Sequence, residues 1–153
     1  GSHRGPALAA AFAGSGIEVD LVGDIRVELW RKMAVVCALT SLCGTHLAPI
    51  GAARTQSSWP SEQRAAVAEV FAVARATGVA LGVDLEAAVH TTLNGFDDGF
   101  FPSLLHDLRR GQRTEVEALN GKISDLGRRL GVPTPHHDAA ADAIRAAEAK
   151  GPV

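Results

Sequence analysis

The stretch that most constrains the fold is Asp24 to Gly44, DIRVELWRKMAVVCALTSLCG. Inside it, Met33 to Leu39 is an unbroken apolar run. A helix that is apolar all round must be covered on most sides, so this segment predicts a central, buried helix. Asp24 suits its N-cap and the positive end of its dipole. Gly44 suits the position just past its end, where a positive φ closes many helices. Lys32 stands at the rim of the apolar run. On pattern alone it pairs with Glu28, four residues earlier, in the favourable order for a helical ion pair. The competing reading is that Lys32 opens a site.

The remaining segments must supply the cover, and 153 residues is enough for one domain with a genuine core. Pro6 to Ala13 reads as an alanine-rich helix closed by Gly14-Ser15-Gly16. Ile17 to Gly23 alternates weakly and reads as a short extended connector. Thr45 to Trp59 is loop-like, with Pro49, Gly51 and Ser57-Ser58. Pro60 opens a helix through Thr77, stopped by Gly78. Asp84 is placed as the cap of a shorter helix ending near Asn94-Gly95. Phe96 to Phe101 is a loop with three aromatics, and Pro102 starts a short helix to about Arg110. Thr114-x-x-Glu117 has the pattern of a capping box. It precedes a stripe of Val116, Leu119, Ile123, Leu126 and Leu130 at helical spacing. A last helix runs from about Pro135 to Ala149. With no convincing strand pair and no internal repeat, the expected class is all-α, with six or seven helices.

Several function classes fall away. The net charge is −2 with no basic block, which argues against nucleic acid as the main partner. No apolar run approaches the roughly 20 residues of a membrane span. Cys37 and Cys43 lie six apart on one helix, roughly 600° of rotation, and so face different ways. Buried free thiols in a reducing cytoplasm fit them better than a disulfide or a metal pair. Gly1-Ser2-His3 reads as a cloning remnant, which implies that the native N-terminus is missing.

Four other features carry chemistry on paper. Glu115 lies about 60° from the centre of its helix's apolar stripe, at the margin of the core. A first-turn glutamate favoured by the helix dipole explains it equally simply. Ser103 follows Pro102 at a helix start, where capping or first-turn solvation explains it simply, and no Gly-x-Ser-x-Gly surrounds it. His136-His137-Asp138 invites a metal, but adjacent helical residues diverge by about 100° and seldom ligate together. Gly14-x-Gly16 lacks a third glycine and a preceding strand, so it is no dinucleotide fingerprint.

Taken together, the motifs are more specific than any one of them. Trp30-Arg31-Lys32 heads the long helix, and Glu69 sits in Ala68-Glu69-Val70-Phe71-Ala72-Val73-Ala74-Arg75-Ala76-Thr77-Gly78. Then come Pro102-Ser103-Leu104-Leu105-His106-Asp107, Arg113-Thr114-Glu115, Ala118-Leu119-Asn120-Gly121 and Gly131-Val132-Pro133-Thr134-Pro135. This order and spacing resembles the C-terminal domain of ketopantoate reductases (2-dehydropantoate 2-reductases), over nearly the whole chain after residue 6. The resemblance implies an all-helical substrate and dimerisation domain over residues 4–153, similar to the helical domain of 6-phosphogluconate-dehydrogenase-like enzymes. It implies a separate N-terminal Rossmann domain that holds NADPH, absent from this chain. No cofactor is then expected in this chain alone, and the isolated domain should not turn over. It further implies a cleft where 2-dehydropantoate is reduced to pantoate, in pantothenate biosynthesis. By position, the family's acid lysine matches Lys32, and its substrate-orienting serine and glutamate match Ser103 and Glu115.

This sequence departs from the family at informative places. The family usually carries asparagines four and eight residues after the lysine, and this chain has Val36 and Thr40. Phe100 stands where an asparagine is common, and so does His137. A lost buried polar contact discriminates strongly, so a larger or more apolar keto compound is expected in place of ketopantoate. Two readings from other classes stay open at this stage. One is a ligand-binding or dimerisation module. The other is a non-redox acid/base enzyme, an isomerase or cyclase, using Lys32 and Glu115.

Overall fold

Burial, not propensity, decides where the longest helix sits. In the computed structural model, which describes residues 4–151, Ile25–His46 forms α2. From Cys37 to Gly44 every residue of α2 is buried, whereas most of its first two turns face outward. Around it lie α1 (Arg4–Phe12), α3 (Ile50–Arg54), α4 (Trp59–Ala76), α5 (Val83–Asn94), α6 (Ser103–Arg109), α7 (Asn120–Leu130) and α8 (Pro135–Lys150). The described residues are all-α, and α2 packs most extensively against α4 and α8. No helix among them is long and apolar enough to cross a membrane. Residues 1–3, expected to be a cloning remnant, lie outside the described residues.

Four local expectations are corrected. Asp24 is the N-cap as predicted, accepting from the Arg26 backbone N–H at 2.9 Å. The helix does not stop at Gly44, however. It runs on to His46 and closes at Leu47, whose φ is +49°. Gly44 is there for packing: a Cβ on it would lie 2.8 Å from Ile144 Cδ1 on α8. The loop expected over 45–59 contains α3, which raises the helix number among described residues above the six or seven expected. Asp84 sits in the first turn of α5, and Gly82 takes the cap position. The capping box is not made. Glu117 turns instead to Arg145 on α8, with oxygens 2.7 and 2.9 Å from Nε and Nη2. The Thr114 N–H donates to Glu148 Oε1 at 2.6 Å, and α7 begins only at Asn120.

The core is aliphatic and small-residue-rich, centred on Phe71, Ile50, Leu93, Leu105, Ile123 and Ile144. Cys37 and Cys43 are buried free thiols, and burial pushes both up to about 12. Polar links cross this core. His137, fully buried, donates from Nε2 to the Ala66 carbonyl at 2.9 Å on α4. Its Nδ1 accepts from Asn120 Nδ2 at 3.0 Å, and the same amide donates to the Cys37 carbonyl at 3.0 Å on α2. Both ring nitrogens are therefore engaged in the core, which removes His137 as a substrate contact. Beside it, the buried Glu69 carboxylate accepts from the backbone N–H groups of His136 and His137 at 2.9 and 3.1 Å. It thereby satisfies donors at the start of α8 that a helix leaves orphaned.

Burial, outweighing the Ala66 hydrogen bond, pushes the His137 imidazole down from the ordinary 6.5 to about 4. A depressed histidine is neutral in the fold and protonated in the unfolded chain between those values. Its stabilisation is complete above pH 6.5 and is lost as the pH falls towards 4. Burial holds the Glu69 carboxyl above its ordinary range, so it adds nothing to that acid loss. Denaturant unfolding at pH 7 and pH 4 should differ by about 3 kcal/mol from this group. His137→Asn should remove that step, and should lower stability at pH 7 by about 1–3 kcal/mol through the orphaned Ala66 carbonyl. An unchanged acid profile in the variant would assign the sensitivity to other groups.

Candidate functional site

Lys32, Val36 and Thr40 follow one another at i, i+4 and i+8, on one face of α2. That face descends from solvent into the core: Lys32 is exposed, Val36 half-buried and Thr40 only 2% exposed. The ion pair expected of Lys32 is absent. Glu28 binds Arg31 instead, at 2.8 Å, and Lys32 makes no ion pair among the described residues. A cation at the rim of a buried helix is thus left available to a ligand.

Opposite this face stands the turn 114–119. The Glu115 carbonyl accepts from the N–H groups of Ala118 and Leu119 at 2.9 and 3.1 Å. Leu119, at φ −105° and ψ −102°, then breaks the path, and Gly121 N–H reaches back to the Val116 carbonyl at 2.9 Å. One wide turn therefore separates Glu115 from α7, and the helix-dipole explanation for Glu115 does not apply. Within this turn the alternate carboxylates part company, Glu117 towards α8 and Glu115 towards α2.

The third wall is the aromatic loop before α6. Phe96 and Phe100 stack in a tilted pair, centroids 4.5 Å apart. The loop is held by α3: Ile50 and Gly51 N–H groups donate to the Phe100 and Asp98 carbonyls, each at 3.0 Å. Arg54 adds an ion pair with Asp98 and hydrogen bonds to the Leu93 and Asn94 carbonyls at 2.9 and 3.0 Å. Ser103 opens α6 beside it, exposed, with no hydrogen bond from its hydroxyl among the described residues.

These three walls enclose two adjoining hollows that share Val36, Glu115 and Leu119. The outer one, about 370 Å³, is lined by Leu29, Lys32 and Met33 in addition. The inner one, about 190 Å³, adds Thr40, Phe96, Phe100 and Ser103, and aliphatic side chains of α2 and α6. Lys32, Val36, Thr40, Phe100, Ser103 and Glu115 thus all line one or both of two adjoining hollows, although they are spread over residues 32–115. Sequence reasoning missed Leu29, Met33 and Phe96 as walls. Met33 was hidden inside the apolar run, Leu29 because nothing sets it apart ahead of that run, and Phe96 because nothing in the sequence shows that α3 holds its loop.

A larger depression of about 620 Å³ lies between α7 and α8. Its charges already face one another: Arg145 with Glu117 and Asp142, and Lys122 and Arg128 with Asp125. That leaves little net field for a ligand, so the Lys32 cavity is the better candidate. Among the described residues no group of three or more His, Cys, Asp or Glu could hold a metal. Nor do these residues include a strand followed by a glycine-rich turn and helix, so they do not by themselves fit a dinucleotide.

The family model described as "Ketopantoate reductase PanE/ApbA C terminal" matches residues 24–148. The chain is 36% identical to the 2-dehydropantoate 2-reductase of Caulobacter vibrioides over 131 residues, covering 86% of this chain and 44% of that protein. With the 2-dehydropantoate 2-reductase of Mesorhizobium japonicum it shares 31% over 149 residues, 94% of this chain and 44% of the relative. Among solved structures, it superposes on the PanE/ApbA family ketopantoate reductase from Ralstonia eutropha JMP134 with a TM-score of 0.86. The identity there is 33%, over 97% of this chain and 50% of that one. The chain spans about half the length of the relatives it matches.

The cavity depends on the close approach of α3 to the aromatic loop. A Cβ at Gly51 would lie 2.6 Å from Asp98 Cβ and 2.7 Å from the Asp98 carbonyl oxygen. Alanine gains at most about 1 kcal/mol over glycine in a helix. A collision with backbone outweighs that, so Gly51→Ala should destabilise by about 1–3 kcal/mol in urea unfolding. A neutral or stabilising result would show that the loop is free to shift.

Proposed function

The chain belongs to the ketopantoate reductase family, whose C-terminal domain it represents, and from that premise we propose that it supplies the substrate half of a nicotinamide-dependent reductase of 2-keto acids. The observation that carries the proposal is that Lys32 and Ser103, from separate segments, line two adjoining hollows and Glu115, from a third, lines both. In this reading a dinucleotide, NADPH, is held by residues outside this chain and supplies a hydride to the keto carbon.

This chain's residues do the rest. As negative charge develops on the carbonyl oxygen, the Lys32 ammonium stabilises it and delivers a proton from Nζ, leaving a hydroxyl. The lysine is exposed and unpaired, so solvent can restore its proton. Glu115, on the opposite wall of the outer hollow, orients the substrate against Lys32. Ser103 Oγ donates to the substrate carboxylate. The apolar walls of Leu29, Met33 and Leu119 limit water around the reacting carbon.

Exposed apolar side chains support a site completed by another domain or a second copy of the chain. Leu8, Phe12, Ile17, Leu21, Ile25 and Leu29 are all exposed along α1, the connector and the outer end of α2, and Leu29 lines the outer hollow. Such a run is more than the scattered exposure of an ordinary surface.

Lys32→Ala tests the role in the full-length protein. Loss of a proton donor should lower kcat by at least about 100-fold. Because Lys32 is exposed and unpaired, stability should change by less than about 0.5 kcal/mol. An unchanged kcat would remove Lys32 from the chemistry.

A further inference from the structure

The two hollows differ in what they can recognise. The outer one carries the Lys32 cation, and the Glu115 carboxylate stands on the border that both share. Beyond that border the inner one is bounded mainly by Val35, Val36, Leu39, Phe96, Phe100 and Leu104, with Thr40 and Ser103 as its other polar side chains. At about 190 Å³ it exceeds the roughly 150 Å³ of an apolar cavity that admits benzene. Its rim at the middle turn of the α2 face is Val36, which offers no hydrogen bond to a hydroxyl passing over it.

Thr40 shows that the inner hollow is not sealed core. The helical threonines Thr45, Thr91 and Thr92 bond their hydroxyls to the carbonyl four residues back, at 2.8, 3.0 and 2.9 Å. Thr40 is 2% exposed, lines the hollow, and makes no such bond. Among the described residues the fully buried side-chain oxygens without a partner are Asn120 Oδ1 and Ser124 Oγ, so the Thr40 hydroxyl keeps an opening onto the hollow.

We infer that the keto acid this site accepts carries an apolar side chain of branched-alkyl or phenyl size, seated in the inner hollow against Val36, Phe100 and Leu104. This rests on the keto-reductase reading above. Hydroxylated side chains are disfavoured because Val36 strips water from the hydroxyl without replacing its hydrogen bonds. An apolar pocket rejects an added hydroxyl by no more than about 100-fold, which sets the scale of the effect.

The test compares two substrates that differ by one hydroxyl, 2-dehydropantoate and 3,3-dimethyl-2-oxobutanoate, with NADPH and the full-length protein. Phenylglyoxylate is the larger probe. The expected result is a kcat/KM at least about tenfold higher for 3,3-dimethyl-2-oxobutanoate than for 2-dehydropantoate. Val36→Asn, which places an amide on the middle turn, should reverse that order. Phe100→Ala, at a ring 37% exposed, should lower kcat/KM for phenylglyoxylate by about tenfold, and an unchanged value would overturn the seating against Phe100. Preference for 2-dehydropantoate, or a ratio below tenfold, overturns the inference and leaves the reductase reading standing. NADPH oxidation with none of the three overturns the reductase reading and this inference with it.

Discussion

One buried hydrogen-bond chain holds the rest in register. Cys37 of α2, Ala66 of α4, Asn120 of α7 and His137 of α8 meet through a single imidazole and a single amide. Each bond contributes only about 1 kcal/mol net, while leaving any member unpaired in this interior costs more than that. The arrangement is therefore directional in a way that aliphatic packing is not. It fixes Asn120, and Asn120 is the first residue after the turn that carries Glu115. The carboxylate wall of the cavity is thereby referenced to the core and not to a floating loop. Glu69, capping α8 from the flank of α4, secures the same junction from the other side.

The second constraint is the split character of α2. Its inner half is closed in by α4 and α8, close enough that Gly44 leaves no room for a methyl group against Ile144. Its outer half emerges beside α7 with Trp30 and Met33 half covered. A charge can sit at this boundary without the penalty of full burial and still look into an apolar space. The helix thus sets up a gradient from wet to dry along one face, and the polar groups of the site lie at successive depths along it.

Much of this was legible in the sequence, for physical reasons that can be named. The unbroken apolar run of α2 gave away its burial, and Pro60, Gly78, Pro102 and Gly131 marked helix ends because their backbones leave few alternatives. What failed were choices between near-equal local options. Glu117 had a capping partner in Thr114 and an ion-pair partner in Arg145, and the bidentate arginine won. Glu28 had Lys32 and Arg31 within reach, and Arg31 won. Gly44 carried the signature of a helix end but is needed for contact with a residue one hundred positions away. The grouping of Lys32, Ser103 and Glu115 followed from resemblance, since no periodicity links residues so far apart. The aromatic loop's geometry depends on Arg54 and α3, in a stretch whose prolines, glycines and serines masked a helix of five residues.

The two cysteines have a practical consequence. Both thiols are buried and held at about 12, so at neutral pH neither offers appreciable thiolate to an alkylating reagent. They are the whole thiol complement of the sequence. A cysteine placed at the cavity rim would therefore be selectively labelled without first removing the native ones. The fold comes already silenced for maleimide fluorophores and spin labels, and the movement of this domain against its surroundings can be followed from a single attached reporter.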